Sequence, residues 1–476
     1  MLGSSQLAAS AASVVRNKLL AVLLGPAGVG LFAQLQTLQM FISNVIPMGM
    51  NVGVLNYLAK NRTADSHLFA KYVSTASKVF FVLSLFTAAI CLILVRRLAD
   101  WTLDDPKLYL YLVPPLLGVP FLIQTQLWLT YLRAVMAMKQ LALASLLTSV
   151  VGMAVVVPLV LIWRQWGATF HLLFIAIIGY AVAWTLASRS MDAETKTGIK
   201  AARLDFRVLW NLLRFSTSNL PVFVLMFATP FVIRTQIIYD LGLEANGIYQ
   251  AVFALSSQCI STPIAAVLTY TLPKITQLDD PRKIGPDMNN AIRVSVLLST
   301  FAILVLLLAR VFFIKALYSS KFLPAVTLIP WQMVGDSFRS IAMTVQLPLM
   351  PQERFRARNI QHILQYALYL TVFYLTPPAQ RLMGVVHAHA VSWAFAAITT
   401  YGYVNWLNGF RFDARNWRLI LTSTAAVSFT AFMPFSGPKW QLAGVGIAVA
   451  WLVTAVSRND CRQLAAAVRS RLSKPG

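Results

Sequence analysis

The residues of this sequence that could do unusual chemistry are charges set inside oily stretches. Arg16, Lys18, Arg234, Asp336 and Arg339 all fall within long apolar segments. An ionisable group at the centre of a spanning helix costs about 2.5–3.5 kcal/mol on insertion scales, so it turns toward a partner, a headgroup or a wet cavity. The sign is informative. Apart from Asp336, no carboxylate lies well inside an apolar segment. A cation-binding cavity would need buried Asp or Glu. A cationic cavity suits an anion, and phosphate or pyrophosphate suits Arg, whose planar fork donates two parallel hydrogen bonds. For Arg16 and Arg234 two readings stand: snorkelling to the nearer headgroups, or a shared central cavity. Asp336 and Arg339 are three apart on one helical face and can pair, as a structural ion pair with a gating or coupling role behind it. The stretch after Gly30 adds Gln34, Gln36, Gln39, Asn44, Asn51 and Asn56. Amides at that depth either bind neighbouring helices or line a wet path for sugar hydroxyls. Gln36, Gln39 and Asn44 are the candidates for the second use.

Other chemistries find no support. No G-x-x-x-x-G-K-[ST] occurs, so no nucleotide-hydrolysing phosphate loop is expected. No H-E-x-x-H occurs. His387 and His389 are two apart and point different ways on a helix, and a buried, satisfied histidine is the default for them and for His362, with proton coupling as the rival use. Cys91, Cys259 and Cys461 are too far apart to suggest a disulfide framework or zinc site. Neither a metal nor a cofactor is expected. Asp100, Asp104 and Asp105 read as a solvated turn. A membrane polymerase or glycosyltransferase would be expected to carry a large extramembrane loop, and the longest here is about twenty residues. The protein therefore reads as a non-enzyme.

The elements that must hold these charges are membrane spans. Of 476 residues 58% are apolar and 12% charged, against about 25% charged in soluble chains. A soluble enzyme and a disordered chain are excluded by that balance. A porin-type barrel is excluded because the apolar runs are continuous rather than alternating. The formal charge of +24 points first to cytoplasmic loops and anionic headgroups rather than nucleic acid. About 20 apolar residues are needed per span. Candidates lie near 2–24, 28–58, 72–95, 108–132, 140–163, 168–188, 209–238, 246–272, 291–317, 323–350, 359–376, 384–407, 417–435 and 440–457, about fourteen in all. The first reads as a retained helix, since Arg16 and Lys18 come too late for a signal peptide. With a cytoplasmic N-terminus, Lys and Arg divide about 24 to 8 between inner and outer loops. The inner set includes Arg62, Arg203, Arg354 and the basic tail from Arg458 to Lys474. The sequon at Asn61 falls on the inner side and reads as accidental. Arg133 and Arg293 read as interfacial anchors. Pro47 is expected to interrupt its helix, as are Pro221 and Pro230 theirs, and Gly49-x-x-x-Gly53 to form a packing face.

Two stretches repeat. Residues 21–38 (AVLLGPAGVGLFAQLQTL) align with 238–255 (IYDLGLEANGIYQAVFAL), Gly25 with Gly242 and Gly30 with Gly247. Arg234 then aligns with Asn17, next to Arg16. Six predicted spans separate the copies, so both point the same way, and parallel halves follow. The expected organisation is a six-helix bundle over 1–188, a cytoplasmic linker over 189–206, a second six-helix bundle over 207–410, and two added helices with a basic tail over 411–476.

The N-terminal block GSSQLAASAASVVRNKLLAVLLGPAGVGLFAQLQTL, running on through Met48-Gly49 to Tyr57-Leu58-Ala59-Lys60, resembles the start of bacterial polysaccharide-export flippases of the O-antigen (Wzx) type. These belong to the multidrug/oligosaccharidyl-lipid/polysaccharide exporter superfamily. A weaker likeness is Tyr318 to Ala325 (YSSKFLPA). The resemblance implies an all-α integral membrane fold with a V-shaped pair of six-helix bundles. Its implied cargo is an undecaprenyl-pyrophosphate-linked oligosaccharide, such as an O-antigen repeat unit, carried from the cytoplasmic to the periplasmic leaflet by alternating access. It implies a cationic central cavity, for which Arg16, Lys18 and Arg234 are the fitting positions. It also implies the bacterial inner membrane, with both termini cytoplasmic, and a polysaccharide polymerase and chain-length regulator as partners. The two extra C-terminal helices depart from twelve-helix members. The rival readings are a cation-coupled multidrug antiporter on the same scaffold and a membrane polysaccharide polymerase.

Overall fold

The computed structural model describes residues 2–47, 49–61, 66–201, 204–217, 220–276, 281–349, 355–434 and 438–455. Arg62, Arg203, Arg354, Met48, the last two residues of the Asn61 sequon and the basic tail lie outside them. The helices are α1 (Leu2–Val45), α2 (Met50–Asn61), α3 (Ser66–Ile93), α4 (Val95–Leu103), α5 (Tyr109–Ala134), α6 (Met138–Arg189), α7 (Ala193–Ala201), α8 (Phe206–Thr217), α9 (Leu220–Thr276), α10 (Gly285–Leu308), α11 (Arg310–Leu317), α12 (Ile329–Val345), α13 (Phe355–Leu375), α14 (Arg381–Asn408), α15 (Ala414–Phe432) and α16 (Pro438–Ala455). No strand occurs among the described residues. Helix is the expected answer for a chain this apolar, because in lipid each backbone polar group must be satisfied within its own segment.

Among the described residues, seven helical stretches are long and apolar enough to cross a membrane. Large apolar side chains stand on the outside as well as the inside: Ile93 is 81% exposed, and Ile162, Phe86 and Ile398 are also well exposed. That inversion suits a lipid surface rather than water. Three of the long helices are doublets bent at a residue of non-helical backbone, Gly25 in α1, Arg164 in α6 and Gly242 in α9. At about 1.5 Å per residue, α6 and α9 each far exceed the ~30 Å of hydrocarbon, so each doublet has length for two passages. The breaks fall where the expected spans end and begin.

Proline and glycine punctuate the chain differently from expectation at three places. Pro47 does end its helix: α1 stops at Val45, and the amide of Met50 donates to Pro47 O at 2.7 Å to start α2. Gly49, expected to pack a helix face, instead takes φ +73° in that turn, a left-handed conformation that glycine adopts without a Cβ penalty. Pro221 sits in the first turn of α9, where a missing N–H costs nothing, and the helix runs on through Pro230 to its break at Gly242. The expected linker carries a helix. Its helix α7 lies against α3, with Gly198 facing Ala70 so closely that a Cβ there would stand 2.9 Å from the alanine methyl.

By contact density the chain forms two units. The first holds Met1–Ala251, Ile314–Ala325 and Phe355–Val385, and the second holds Val252–Phe313, Val326–Arg354 and Val386–Gly476. Helices α9, α11 and α14 each contribute to both. The first unit buries Leu112, Leu116, Ile123 and Leu127 of α5 with Val156 and Val160 of α6. The second buries Met288 and Ile292 of α10 with Val345, Ala396, Val404 and Leu419. Helices α15 and α16 belong to the second unit, where Trp451 Nε1 donates to Ser423 Oγ at 2.9 Å.

Candidate functional site

The site in the first unit is built on the two bent helices. Gly25 (φ +68°, ψ −174°) and Gly242 (φ +84°, ψ 175°) share a backbone conformation open essentially to glycine alone. Five residues on, Gly30 and Gly247 meet each other. A Cβ at Gly30 would stand 1.9 Å from Leu243 O, and one at Gly247 would stand 1.9 Å from Pro26 O. The aligned glycines of the repeat thus have matching angles and reciprocal contacts, and they let α1 and α9 cross backbone to backbone. Asn246 stitches the crossing by donating to Gly30 O at 2.8 Å.

Beside this crossing the cationic residues gather at Tyr318. Arg16 and Arg234 both lie within electrostatic range of its hydroxyl, and the Asn17 side chain hydrogen-bonds it. Lys18 Nζ donates to Tyr318 O at 2.5 Å and Lys315 O at 2.9 Å. It thereby caps the end of α11, where unpaired carbonyls favour a cation. Arg234 is 3% exposed. It donates to Asn246 Oδ1 at 3.0 Å and to Gln250 Oε1, with the Tyr249 ring 5.1 Å from its guanidinium carbon. These amides spread its charge over neutral acceptors without cancelling it. Arg16 differs: its Nε is buried with no hydrogen-bond partner among the described residues.

The amides of α1 mostly bind neighbouring helices. Gln34 donates to Thr102 O and to Thr235 Oγ1, at 3.2 and 2.8 Å. Gln39 is buried and donates to Pro115 O at 2.9 Å, with Leu172 O at 3.5 Å. Asn44 donates to Met40 O of its own helix at 2.8 Å and accepts from Gln126 at 3.5 Å. Gln36 is half-buried. Gln39 is thus buried between α5 and α6, while Gln36 and Asn44 are only half-buried.

A second polar cluster is buried in the second unit. Asp336 is 0% exposed. Its Oδ2 accepts from Ser256 Oγ at 2.5 Å, and that hydroxyl in turn accepts from Gln332 Nε2 at 3.0 Å. Its Oδ1 lies 3.1 Å from His389 Nε2 and 3.8 Å from Arg339 Nη1. Arg339 also packs its guanidinium over Trp393, 5.5 Å from the ring centre. The expected Asp336–Arg339 pair is therefore present, but His389 is the nearer partner. Arg293 binds Asp413 at 3.1 Å.

Three residues matter more in the structure than their sequence context suggests. His171, from the second half of α6, was not singled out at all. His389 was given a satisfied buried role by default, because its carboxylate lies 53 residues away. Arg381 was counted only as a loop charge. It donates to Asp240 Oδ2 at 2.7 Å and to the carbonyls of Phe373 and Thr376 at 2.7 and 2.5 Å, tying the start of α14 to the end of α13 and to α9. A lone histidine in an apolar stretch was the one local signal available for His171.

Solved structures share this fold across nearly the whole chain. The lipid II flippase MurJ in an inward closed conformation matches with a TM-score of 0.77 over 95% of this chain and 97% of its own, at 12% identity. An inward-facing multidrug resistance transporter of the MATE family, from the MOP superfamily, matches with a TM-score of 0.71 over 86% and 95%, at 14% identity. In sequence, the lipid III flippase of Escherichia coli K12 is 23% identical over 393 residues, 82% of this chain and 93% of its own, and the Shigella flexneri lipid III flippase matches equally. These relatives are transporters, not enzymes, and the chain is a multi-pass helical membrane protein. The model of the polysaccharide biosynthesis protein family spans residues 1–278, more than half of the sequence, and to that family the chain belongs.

Proposed function

We propose that the protein is a flippase for a lipid-linked saccharide precursor. Its cargo is an oligosaccharide on a polyprenyl pyrophosphate, of the kind that serves as an O-antigen or other surface polysaccharide repeat unit. It carries the cargo from the cytoplasmic to the periplasmic leaflet of a bacterial inner membrane by alternating access, with both termini in the cytoplasm. The observation that carries this reading is the concentration of positive charge at Tyr318, within helices long and apolar enough to span a bilayer. Arg16 and Arg234 offset the pyrophosphate charge, Lys18 adds to the field from its cap, and Gln36 and Asn44 line the sugar path, with Gln39 buried behind them on its bonds to α5 and α6. The similarity to lipid II and lipid III flippases supports the same cargo class. A polymerase and a chain-length regulator would receive the product.

Coupling to an ion gradient falls to the Asp336 cluster, where a carboxylate and an imidazole share one site beside Arg339. That buried carboxylate is also what favours a second reading, a cation-coupled drug antiporter on the same scaffold. Vesicles reconstituted with the protein and loaded with labelled polyprenyl-pyrophosphate oligosaccharide test both. Leaflet exchange that is lost in folded Arg16→Ala/Arg234→Ala protein is the expected result. No exchange by the wild type, with ethidium efflux instead, refutes the flippase.

A further inference from the structure

The first unit contains a cavity of about 130 Å³ that is separate from the Arg234 side chain. Ser13 and Arg16 reach it from the first half of α1, Thr148, Ser149 and Gly152 from the first half of α6, and His171 from the second half of α6. His171 is 1% exposed, and neither ring nitrogen has a hydrogen-bond partner among the described residues. A neutral imidazole carries one donor and one acceptor, and its protonated form carries two donors. Leaving both unmet in an apolar interior is costly. The Arg16 Nε beside it is unmet as well, and the two side chains lie within electrostatic range of each other. A core histidine kept for packing would be expected to find a carbonyl or hydroxyl. This one is stacked on Phe32, with ring centres 6.4 Å apart, and lines an open space.

We propose that Arg16 and His171 seat one phosphate group in this cavity. No carboxylate is among the lining residues, and the fixed cation rejects a metal ion or an amine. Donors come from three helical segments rather than one plane, which fits the oxygens of a tetrahedral anion better than a flat carboxylate. The volume equals about four waters at ~30 Å³ each, enough for one phosphate group but not for a sugar as well. Gly152 keeps the space clear, since a Cβ there would meet Ile175 Cδ1 at 2.2 Å and His171 Cε1 at 3.9 Å. The phosphate belongs either to the lipid pyrophosphate head or to free phosphate. Only the first source rests on the flippase reading.

The test uses the full chain in nanodiscs with radiolabelled farnesyl pyrophosphate, farnesol as the uncharged control, and inorganic phosphate as competitor. Wild type is expected to bind farnesyl pyrophosphate and not farnesol. Arg16→Gln and His171→Leu are each expected to weaken binding at least tenfold, and His171→Asn, which keeps one donor and one acceptor, less. Thermal melting confirms folding, and should His171→Leu fail to fold, Ser149→Ala and His171→Asn carry the test with smaller losses. Competition by inorganic phosphate supports a seat for any phosphate. No competition, with the same losses in the variants, supports a seat for the lipid head. Equal binding by wild type and both folded histidine and arginine variants overturns the proposal, as does no binding of either probe by wild type. Vesicle flipping is measured in parallel, so an absent seat with intact flipping sinks this inference alone, and phosphate binding without flipping sinks the flippase reading alone.

Discussion

Adding one methyl group where α1 and α9 cross should force the helices apart. A Cβ at Gly30 would lie 1.9 Å from Leu243 O and 2.8 Å from Gly247 N. An ordinary carbon–oxygen approach is about 3.3 Å, so Gly30→Ala requires about 1.4 Å of separation between two backbones that have no flexible tip to bend away. Overpacking of this kind costs about 1–3 kcal/mol. The same separation would carry the Asn246 bond to Gly30 O, now 2.8 Å, out of hydrogen-bonding range, for roughly 1 kcal/mol more. Gly247→Ala meets Pro26 O at 1.9 Å and should cost a similar amount, roughly 2–4 kcal/mol in all. One opening of the crossing accommodates both methyls, so the double variant should lose clearly less than the sum of the two. Unfolding in detergent followed by tryptophan fluorescence measures this, with Gly402→Ala as the control. Gly402 has nothing within 4 Å of its would-be Cβ, and alanine there should be neutral or stabilising by up to about 1 kcal/mol. Gly30→Ala or Gly247→Ala as stable as wild type, or a fully additive double variant, would refute the crossing.

Other outcomes follow from single contacts. Asp336→Ala removes the carboxylate that faces Ser256, His389 and Arg339 and should cost about 3–5 kcal/mol as a broken buried pair, read by the same unfolding assay. Asp336→Asn keeps the shape, and if the cluster couples transport to an ion gradient, flipping in vesicles should lose its dependence on an imposed proton or sodium gradient. Arg381→Met strands the buried Asp240 carboxylate and should destabilise by about 3–5 kcal/mol, and Arg381→Lys should rescue only part, since an ammonium cannot reproduce the planar fork. Asp205 caps α8, and the amides of Val208 and Arg207, with help from Lys71, hold its carboxyl below the ordinary value. A lowered pKa means the cap stabilises above the unfolded value and weakens as pH falls, so the protection of amides at the start of α8, relative to their intrinsic exchange rate, should fall below about pH 4. Asp205→Asn should lessen that acid response.

The fold was legible where the cause was local. Glycine spacing, together with the span–loop–span pattern around it, aligned Gly25 with Gly242 and Gly30 with Gly247, because an absent Cβ is a backbone requirement that survives divergence of the surrounding side chains. The helical fold followed from the apolar runs, and Pro47 correctly marked the end of α1. Where the cause was tertiary, the sequence misled or was silent. Gly49 and Gly53 have the spacing of a helix-packing motif, yet a proline two residues upstream puts Gly49 in a turn. Asp336 was matched with Arg339 because a helix makes residues three apart into neighbours, while His389, from another helix, proved nearer. His171 went unnoticed because a histidine shows its importance only through partners it does or does not find.

The clamp around Arg381 also bears on how the chain is made. Its aspartate partner precedes it by 141 residues, so the acid enters the nascent protein long before its cation exists. Until α14 is synthesised, Gln236, one turn away at 3.0 Å in the finished fold, is the help close at hand in the sequence. A chain stalled or truncated ahead of Arg381 would therefore hold this acid without the cation that pairs with it in the finished fold.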